Sequence, residues 1–251
     1  MLSLLKITVK IAFFSFFICG RLLAENYFCA GASSRLDFSA SSKFVGEAQV
    51  SYRKVFSVAG DFLQFSDYGA LDFSEVSRGK VWFVKPDLAR FSYAEPEPQE
   101  YLMRSAKIYH YSPIDRQLSV RDIKDLFLPE APVAFLIGVG ELEKSLRLMG
   151  CCQLDDKRLE RYQLKPLSTL LCEFKPREKP SKKGDEAERA SSSRLAILFS
   201  VADKIPLGVE SLDESGNKIT IVLDIKERNK EVSPAVFAMD IPDSTDFIKY
   251  D

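Results

Sequence analysis

The sequence predicts an α+β fold that consists mainly of antiparallel β-sheet. Apolar residues recur at helical spacing over residues 43–58, and short β-prone runs separated by glycine and proline follow up to residue 120. After a second helical stretch over 121–149, another series of β-prone runs leads toward the C-terminus. Many short strands with turn residues between them are typical of an antiparallel sheet that curls toward a barrel.

The N-terminus has the pattern of a cleaved secretory signal. Lys6 and Lys10 precede an apolar run over residues 11–19 that is interrupted only by Ser15, and cleavage is expected after Ala24. The apolar run is too short to cross a bilayer as a helix, which takes about 20 residues. An uncleaved anchor is the alternative interpretation. We therefore expect residues 1–24 to be removed during export.

The chain that remains after cleavage is nearly balanced in charge. Removing residues 1–24 takes away three basic residues and no acidic one, so the 35 basic and 36 acidic residues become 32 and 36. The basic residues are scattered, which argues against nucleic acid as a partner. The remaining 227 of the 251 residues suit one domain with a sizeable core.

The first helix is expected over residues 43–58, where the apolar positions follow a helical period. Ser41 or Ser42 could cap its start, and Gly60 stands near its end. Residues 25–42 before it are small and polar and are expected to form a flexible leader.

Two series of short strands are expected on either side of the second helical stretch. The first comprises 62–65, 71–73, 80–85, 89–93, 100–103, 107–111 and 117–120. Helical pieces follow at 121–128, 133–137 and 141–149. The second series comprises 151–154, 161–165, 195–201, 208–213, 218–226 and 235–240, with a hairpin turn at 213–217.

Residues 175–194 have a composition that does not favour burial. Between Phe174 and Leu195 no aromatic or branched aliphatic residue occurs, while lysine, glutamate, proline and serine dominate. Such a segment buries too little apolar surface to offset its ordering entropy. We expect a charged, mobile surface loop.

Four cysteines remain after cleavage, namely Cys29, Cys151, Cys152 and Cys172. An oxidising compartment permits disulfides, and four cysteines allow three pairings. Cys151 and Cys152 would point to opposite sides of a strand, so we do not expect them to pair with each other. A disulfide using Cys172 is one alternative that stays open. The spacing of a metal site, such as Cys-x-x-Cys with histidine, is absent.

Catalytic chemistry has little support in the sequence. His110 is the only histidine and lies in an alternating run that predicts a strand, so it is a poor candidate for a general base. No Gly-x-Ser-x-Gly elbow occurs. The pair of glycines at 138 and 140 lacks the third glycine and the βαβ context of a dinucleotide site. We expect neither an enzyme nor a cofactor, a catalytic residue or a bound metal.

Three stretches together resemble the LolA family of periplasmic lipoprotein carriers. Residues 79–93 are similar to its strand–proline–strand signature. Residues 107–113 are similar to its exposed hairpin, and 132–146 follow like its lid helices. Residues 213–242 are similar to its C-terminal strands. The resemblance covers about residues 43–251, and the loop 175–194 looks like an insertion.

The resemblance implies an unclosed, half β-barrel whose hydrophobic cavity is covered by short helices. Such a protein works in the periplasm as a monomer. It takes acylated lipoproteins from an inner-membrane lipoprotein-releasing ABC transporter and delivers them to an outer-membrane acceptor. The first alternative is a LolA-like protein that binds or senses lipids other than lipoproteins. The second is an exported interaction domain with a filled core.

The resemblance also suggests site residues. The family's lid-latching arginine corresponds to Lys85, which offers three donors from a point charge instead of a planar fork. If Lys85 faces the cavity, strand alternation places Val81 and Phe83 on the same face. The further candidates for the cavity wall or lid are Phe91, Phe135, Leu136 and Leu142. For each apolar candidate, ordinary core packing is the alternative.

Overall fold

A computed structural model describes residues 28–32, 34–122, 142, 146–165, 168–177, 194–213 and 215–249. The expected signal at 1–24, most of the second helical stretch and positions 178–193 of the expected loop lie outside these residues. Within the described ranges, no helix has the length and apolar character needed to cross a membrane.

One open, mostly antiparallel sheet dominates the described chain. Its strands are β1 (Ser34–Arg35), β2 (Ser57–Tyr68), β3 (Phe73–Val84), β4 (Leu88–Glu95), β5 (Gln99–Arg104), β6 (Lys107–Ser112), β7 (Gln117–Asp122), β8 (Leu146–Gln153), β9 (Thr169–Pro176), β10 (Arg194–Ser200), β11 (Pro206–Leu212), β12 (Asn217–Arg228) and β13 (Asp246–Lys249). Their order across the sheet is β1-β8-β9-β10-β11-β12-β2-β3-β4-β5-β6-β7-β13. Only β13 pairs in parallel, with β7. Because β1 and β13 do not pair with each other among these strands, the sheet stays unclosed, and the predicted fold class is confirmed.

Helix α1 (Phe38–Arg53) packs on the concave face of the sheet. Its N-cap is Asp37, whose carboxylate accepts a hydrogen bond from the Ala40 amide at 2.7 Å. The buried face consists of Ser41, Phe44, Val45 and Ala48. The helix therefore begins five residues before the predicted start at 43. The expected cap Ser41 lies inside it, where its hydroxyl accepts a hydrogen bond from the Cys151 amide.

A short helix, α2 (Asp156–Arg161), covers the outer face of β8–β12. Asp155 caps it, and Leu159 is its buried residue. The prediction of a strand over 161–165 was wrong. The apolar positions there that resembled a strand are a helix end and a turn, and Tyr162 packs on the outer face of the sheet.

Two disulfides join neighbouring cysteines to opposite faces of the sheet. Cys151 bonds to Cys172 across β8 and β9 within the concave core, and Cys152 bonds to Cys29 within the outer core. The expectation that Cys151 and Cys152 do not pair with each other is confirmed. The expectation of a flexible leader over 25–42 was wrong for the described part of this segment, because Phe28 and Cys29 are buried and α1 begins at Phe38.

The C-terminal segment crosses the outer face of β4 and β5. A short 3-10 helix at Pro234–Phe237 replaces the strand predicted over 235–240. Arg90 donates hydrogen bonds to the carbonyl oxygens of Val236 at 2.7 Å and Ala238 at 3.1 Å. Phe237 is buried beneath this crossing. The segment is therefore held against the sheet by Arg90 and the buried Phe237, and it does not pair as a strand.

Candidate functional site: the concave face of the sheet

The concave face carries one continuous apolar cluster. From α1 it includes Phe44, Val45 and Ala48, and from the β2–β4 half it includes Phe62, Val81 and Phe91. The other members line β8–β12: Leu146, Cys151, Leu170, Cys172, Phe174, Leu195, Ile197, Phe199, Val209, Ile221 and Leu223. Alternate residues of each strand contribute to the cluster, as expected of a sheet with two different faces.

A row of rings continues this surface across five strands. The ring of Phe62 lies 4.7 Å from Tyr93, that of Tyr93 lies 5.5 Å from Tyr101, and that of Tyr101 stacks on His110 at 4.2 Å. Phe62 and Tyr93 meet although β3 runs between them, because the β3 residue that pairs with both is Gly79. Glycine thus leaves room for two rings to touch across a strand. It is also required there, since a Cβ on it would lie 2.0 Å from the Ser92 carbonyl oxygen.

The row ends in polar atoms at the strand ends farther from α1. The hydroxyl of Tyr93 donates to the Gln64 side-chain oxygen at 2.7 Å. The side-chain oxygen of Gln99 lies 3.3 Å from the Tyr101 hydroxyl and 3.1 Å from His110 Nε2. All five side chains are half-buried. The surface is therefore amphipathic, with apolar rings below and hydroxyl, amide and imidazole groups along one edge.

Burial sets the protonation of this edge. It raises the pKa of the Tyr93 hydroxyl, and Tyr101 adds to the effect. Burial also lowers the pKa of His110, the positive charge of Arg121 lowers it further, and Asp115 opposes both. The edge therefore consists of neutral groups at neutral pH. In the described ranges no group of three or more histidine, cysteine or acidic residues could hold a metal ion.

Lys85 fastens the C-terminal end of α1. Its Nζ donates to the carbonyl oxygen of Tyr52 at 2.6 Å and lies 3.9 Å from the centre of the Tyr52 ring. A cation near the last carbonyls of a helix complements the helix dipole. Burial lowers the pKa of Lys85. The lysine thus bonds to α1, and the expected lid helices that it would latch lie largely outside the described residues.

The outer face offers a different kind of concavity. A groove of about 820 Å³ lies beside the turn after α2. Its lining includes the ion pairs Arg78–Glu95 at 3.1 Å and Arg228–Asp203 at 3.3 Å. A groove lined by exposed, mutually paired charges is poorly suited to an apolar ligand.

Comparison with known proteins finds similarity to one family over part of the chain. Residues 53–171 match the family model described as outer membrane lipoprotein carrier protein LolA. This segment of the chain is similar to the LolA family. The matched segment contains β2–β7 and therefore the whole row of rings from Phe62 to His110.

Two curated proteins that are similar to this chain bear the name outer-membrane lipoprotein carrier protein. The one from Alkalilimnicola ehrlichii is 26% identical over 199 residues, which cover 79% of this chain and 80% of the relative. The one from Bordetella avium is 25% identical over 202 residues, covering 78% and 82%. A LolA superfamily protein from Nitrosomonas europaea is a structural neighbour with 10% identity and a TM-score of 0.43, covering 79% of this chain and 97% of that one.

The site residues suggested by the LolA resemblance fall into three groups. Val81, Phe83 and Phe91 lie buried on the concave face. Leu142 is partly buried against the same cluster. Phe135 and Leu136 lie outside the described residues. A role of any of them in ligand binding stays a prediction, because burial alone fits core packing as well.

Sequence reasoning missed the polar edge of the row. Tyr93, Tyr101 and His110 were placed on strands, but their contact depends on the register of β4, β5 and β6. The available signal was the spacing of these residues within successive hairpins, in which alternate positions share a face. Their sequence separation alone does not show that they are neighbours.

Proposed function

We propose that this protein binds the acyl chains of lipoproteins on its concave face and carries them through the periplasm. The observation that carries the proposal is the apolar surface that continues from the core beneath α1 into the half-buried row of rings. The cargo would come from an inner-membrane lipoprotein-releasing ABC transporter and pass to an outer-membrane acceptor. The LolA domain and the names of the two curated relatives support this assignment.

The energetics explain why such a carrier needs this surface. Each methylene exposed to water costs about 0.8 kcal/mol, so the chains of one lipoprotein together represent tens of kcal/mol. Aromatic and aliphatic side chains can replace the water around the acyl chains without burying unpaired polar groups. The neutral polar edge suits the junction at which acyl chains join the more polar part of the cargo.

The chain offers a direct test because Trp82 is its only tryptophan. Trp82 alternates with Val81 and Phe83 along β3 and therefore lies on the outer face. In a second protein, Trp82→Phe combined with Tyr101→Trp would move the indole to the concave face. Tyr101 is half-buried, so a larger ring can be accommodated there.

Both proteins would be titrated with a diacylated lipopeptide whose acyl chains carry bromine, a short-range quencher of indole fluorescence. We expect strong, saturable quenching in the Trp82→Phe/Tyr101→Trp protein and weak quenching in the wild type. Equal quenching in both, or none in either, would contradict acyl binding on the concave face. Mass spectrometry of material co-purified with the exported protein then identifies the cargo class, and free lipids without lipoprotein would favour the non-lipoprotein alternative.

A further inference from the structure

Helix α1 contains a buried side-chain amide without a hydrogen-bond partner. Within the described chain, two buried side-chain polar atoms lack a partner, Gln49 Nε2 and Thr245 Oγ1. Thr245 lies in the C-terminal segment just before β13, whereas Gln49 belongs to the helix on the concave face. Buried donors without an acceptor are few in native proteins, because the lost hydration is not replaced. The unpaired amide nitrogen of Gln49 therefore requires a physical explanation.

Gln49 lies beside the packed stripe of α1, four residues after Val45 and three before Tyr52. Glu47, two residues earlier, lies nearly opposite Gln49 around the helix axis. Glu47 pairs with Lys204 at 3.4 Å, in the turn between β10 and β11. That turn and the β3–β4 turn, which holds Lys85, lie at the same end of the sheet.

By helical geometry Gln49 therefore lies on the opposite flank of α1, the flank farther from this end of the sheet. Its helical neighbours Val45 and Ala48 share one apolar cluster with Phe62 and Phe91. None of these side chains can accept a hydrogen bond. An acyl chain packed on the same surface would bring one acceptor with it, the carbonyl oxygen of its ester linkage.

We propose that Gln49 Nε2 donates a hydrogen bond to the carbonyl oxygen of an ester-linked acyl chain. This inference rests on the proposed acyl-binding function and adds a chemical selectivity to it. The concave face then distinguishes an acyl ester from an alkyl chain of equal length without a carbonyl group. A purely apolar wall has no means of making that distinction, since it recognises only buried area.

The test uses two lipopeptides that differ only in the linkage. One carries two palmitoyl chains on glyceryl-cysteine through esters, and the other carries hexadecyl chains through ethers. Their affinities for the exported protein are measured by competition against a radiolabelled diacylated lipopeptide, because the native Trp82 lies on the outer face and gives little quenching signal. The variants are Gln49→Leu, which keeps the size of the side chain, and Glu47→Gln, which changes the opposite side of α1 as a control.

We expect the wild type and Glu47→Gln to bind the ester about tenfold more tightly than the ether, a ratio that corresponds to about 1.4 kcal/mol. Gln49→Leu should bind both with similar affinity and should unfold at the same or a higher temperature, because an unpaired buried group is removed. Equal affinities in the wild type, or an unchanged preference in Gln49→Leu, would overturn the inference while acyl binding stands. Binding of neither lipopeptide would overturn the proposed function and the inference together.

Discussion

Arg158 should be the most costly charged residue to replace on the outer face. Its guanidinium bonds both oxygens of Glu210, at 2.9 and 2.6 Å, and also donates to the Phe28 carbonyl oxygen. Glu210 is fully buried. Burial by itself would lower the pKa of Arg158, but the Glu210 carboxylate, Tyr162 and Asp155 together outweigh it and raise the pKa. The pair is therefore charged and largely desolvated.

Arg158→Met removes these bonds and leaves the buried carboxylate with a weaker partner. Removing one member of a buried ion pair costs about 3–5 kcal/mol. Lys218 remains 3.3 Å from Glu210, so we expect the lower limit, about 3 kcal/mol. For a chain of this size, about 2–4 °C in Tm corresponds to each kcal/mol, which predicts a decrease of about 6–12 °C.

The matched control is Arg161→Met on the same helix. Arg161 pairs with Asp67 at 2.7 Å, but the two side chains are 41% and 23% exposed. Such pairs contribute up to about 1 kcal/mol, so Tm should decrease by about 4 °C or less. Circular dichroism melts at pH 7 with the disulfides intact provide the measurement. A decrease for Arg158→Met no larger than that for Arg161→Met would refute the reasoning.

Three further predictions follow from the described contacts. The sole histidine, His110, should titrate in NMR spectra below its usual value of about 6.5. Because the pKa of His110 is lowered in the folded state, the unfolded state binds more protons as the pH falls through 6.5. The stability of the wild type should therefore fall more steeply from pH 7 to 5 than that of His110→Asn. An NMR titration midpoint of His110 at or above 6.5 would contradict this. Lys85→Leu should destabilise the last turn of α1 by about 1–2 kcal/mol, which would be measured as faster hydrogen exchange of the amides there. Lys85→Arg should retain the slow exchange of the wild type. Unchanged exchange in Lys85→Leu would show that the contact with Tyr52 is dispensable. Loop entropy predicts that loss of the disulfide Cys29–Cys152, which spans 123 residues, lowers the free energy of unfolding by about 5 kcal/mol. Loss of Cys151–Cys172, which spans 21 residues, should lower it by about 3 kcal/mol. Urea titrations of the two variants, each with both cysteines of one disulfide replaced by alanine, would contradict this if the order were reversed.

The fold class followed from the sequence because it depends on local signals. Alternating residues and turn residues recur through β2–β7, and each successive strand pairs with its neighbour in the chain. Hairpins of this kind require only short-range information. Two failures occurred where an apolar run had no partner strand, at Tyr162 beside α2 and at Phe237 in the C-terminal crossing. The helix predicted over 141–149 was also wrong at 146–149, because these residues belong to β8 and pair with β9, whose sequence is distant from any local window.

The helix boundary shows a similar limit. The apolar period predicted a helix on the concave side, but its start at Phe38 depends on Asp37 as the cap and on the bond from the Cys151 amide to Ser41. Cys151 is 110 residues away in the chain. No local window contains that contact.

The sequence by itself determined the class of fold, the alternation of faces along each strand and the resemblance to lipoprotein carriers. These properties depend on neighbours within a few residues. Only the tertiary structure decided which cysteines pair, that Lys85 bonds to α1, and that the Nε2 atom of Gln49 is buried without a partner. The reason is that pairing, burial and ring contacts depend on strand register and helix packing, which join residues far apart in the chain.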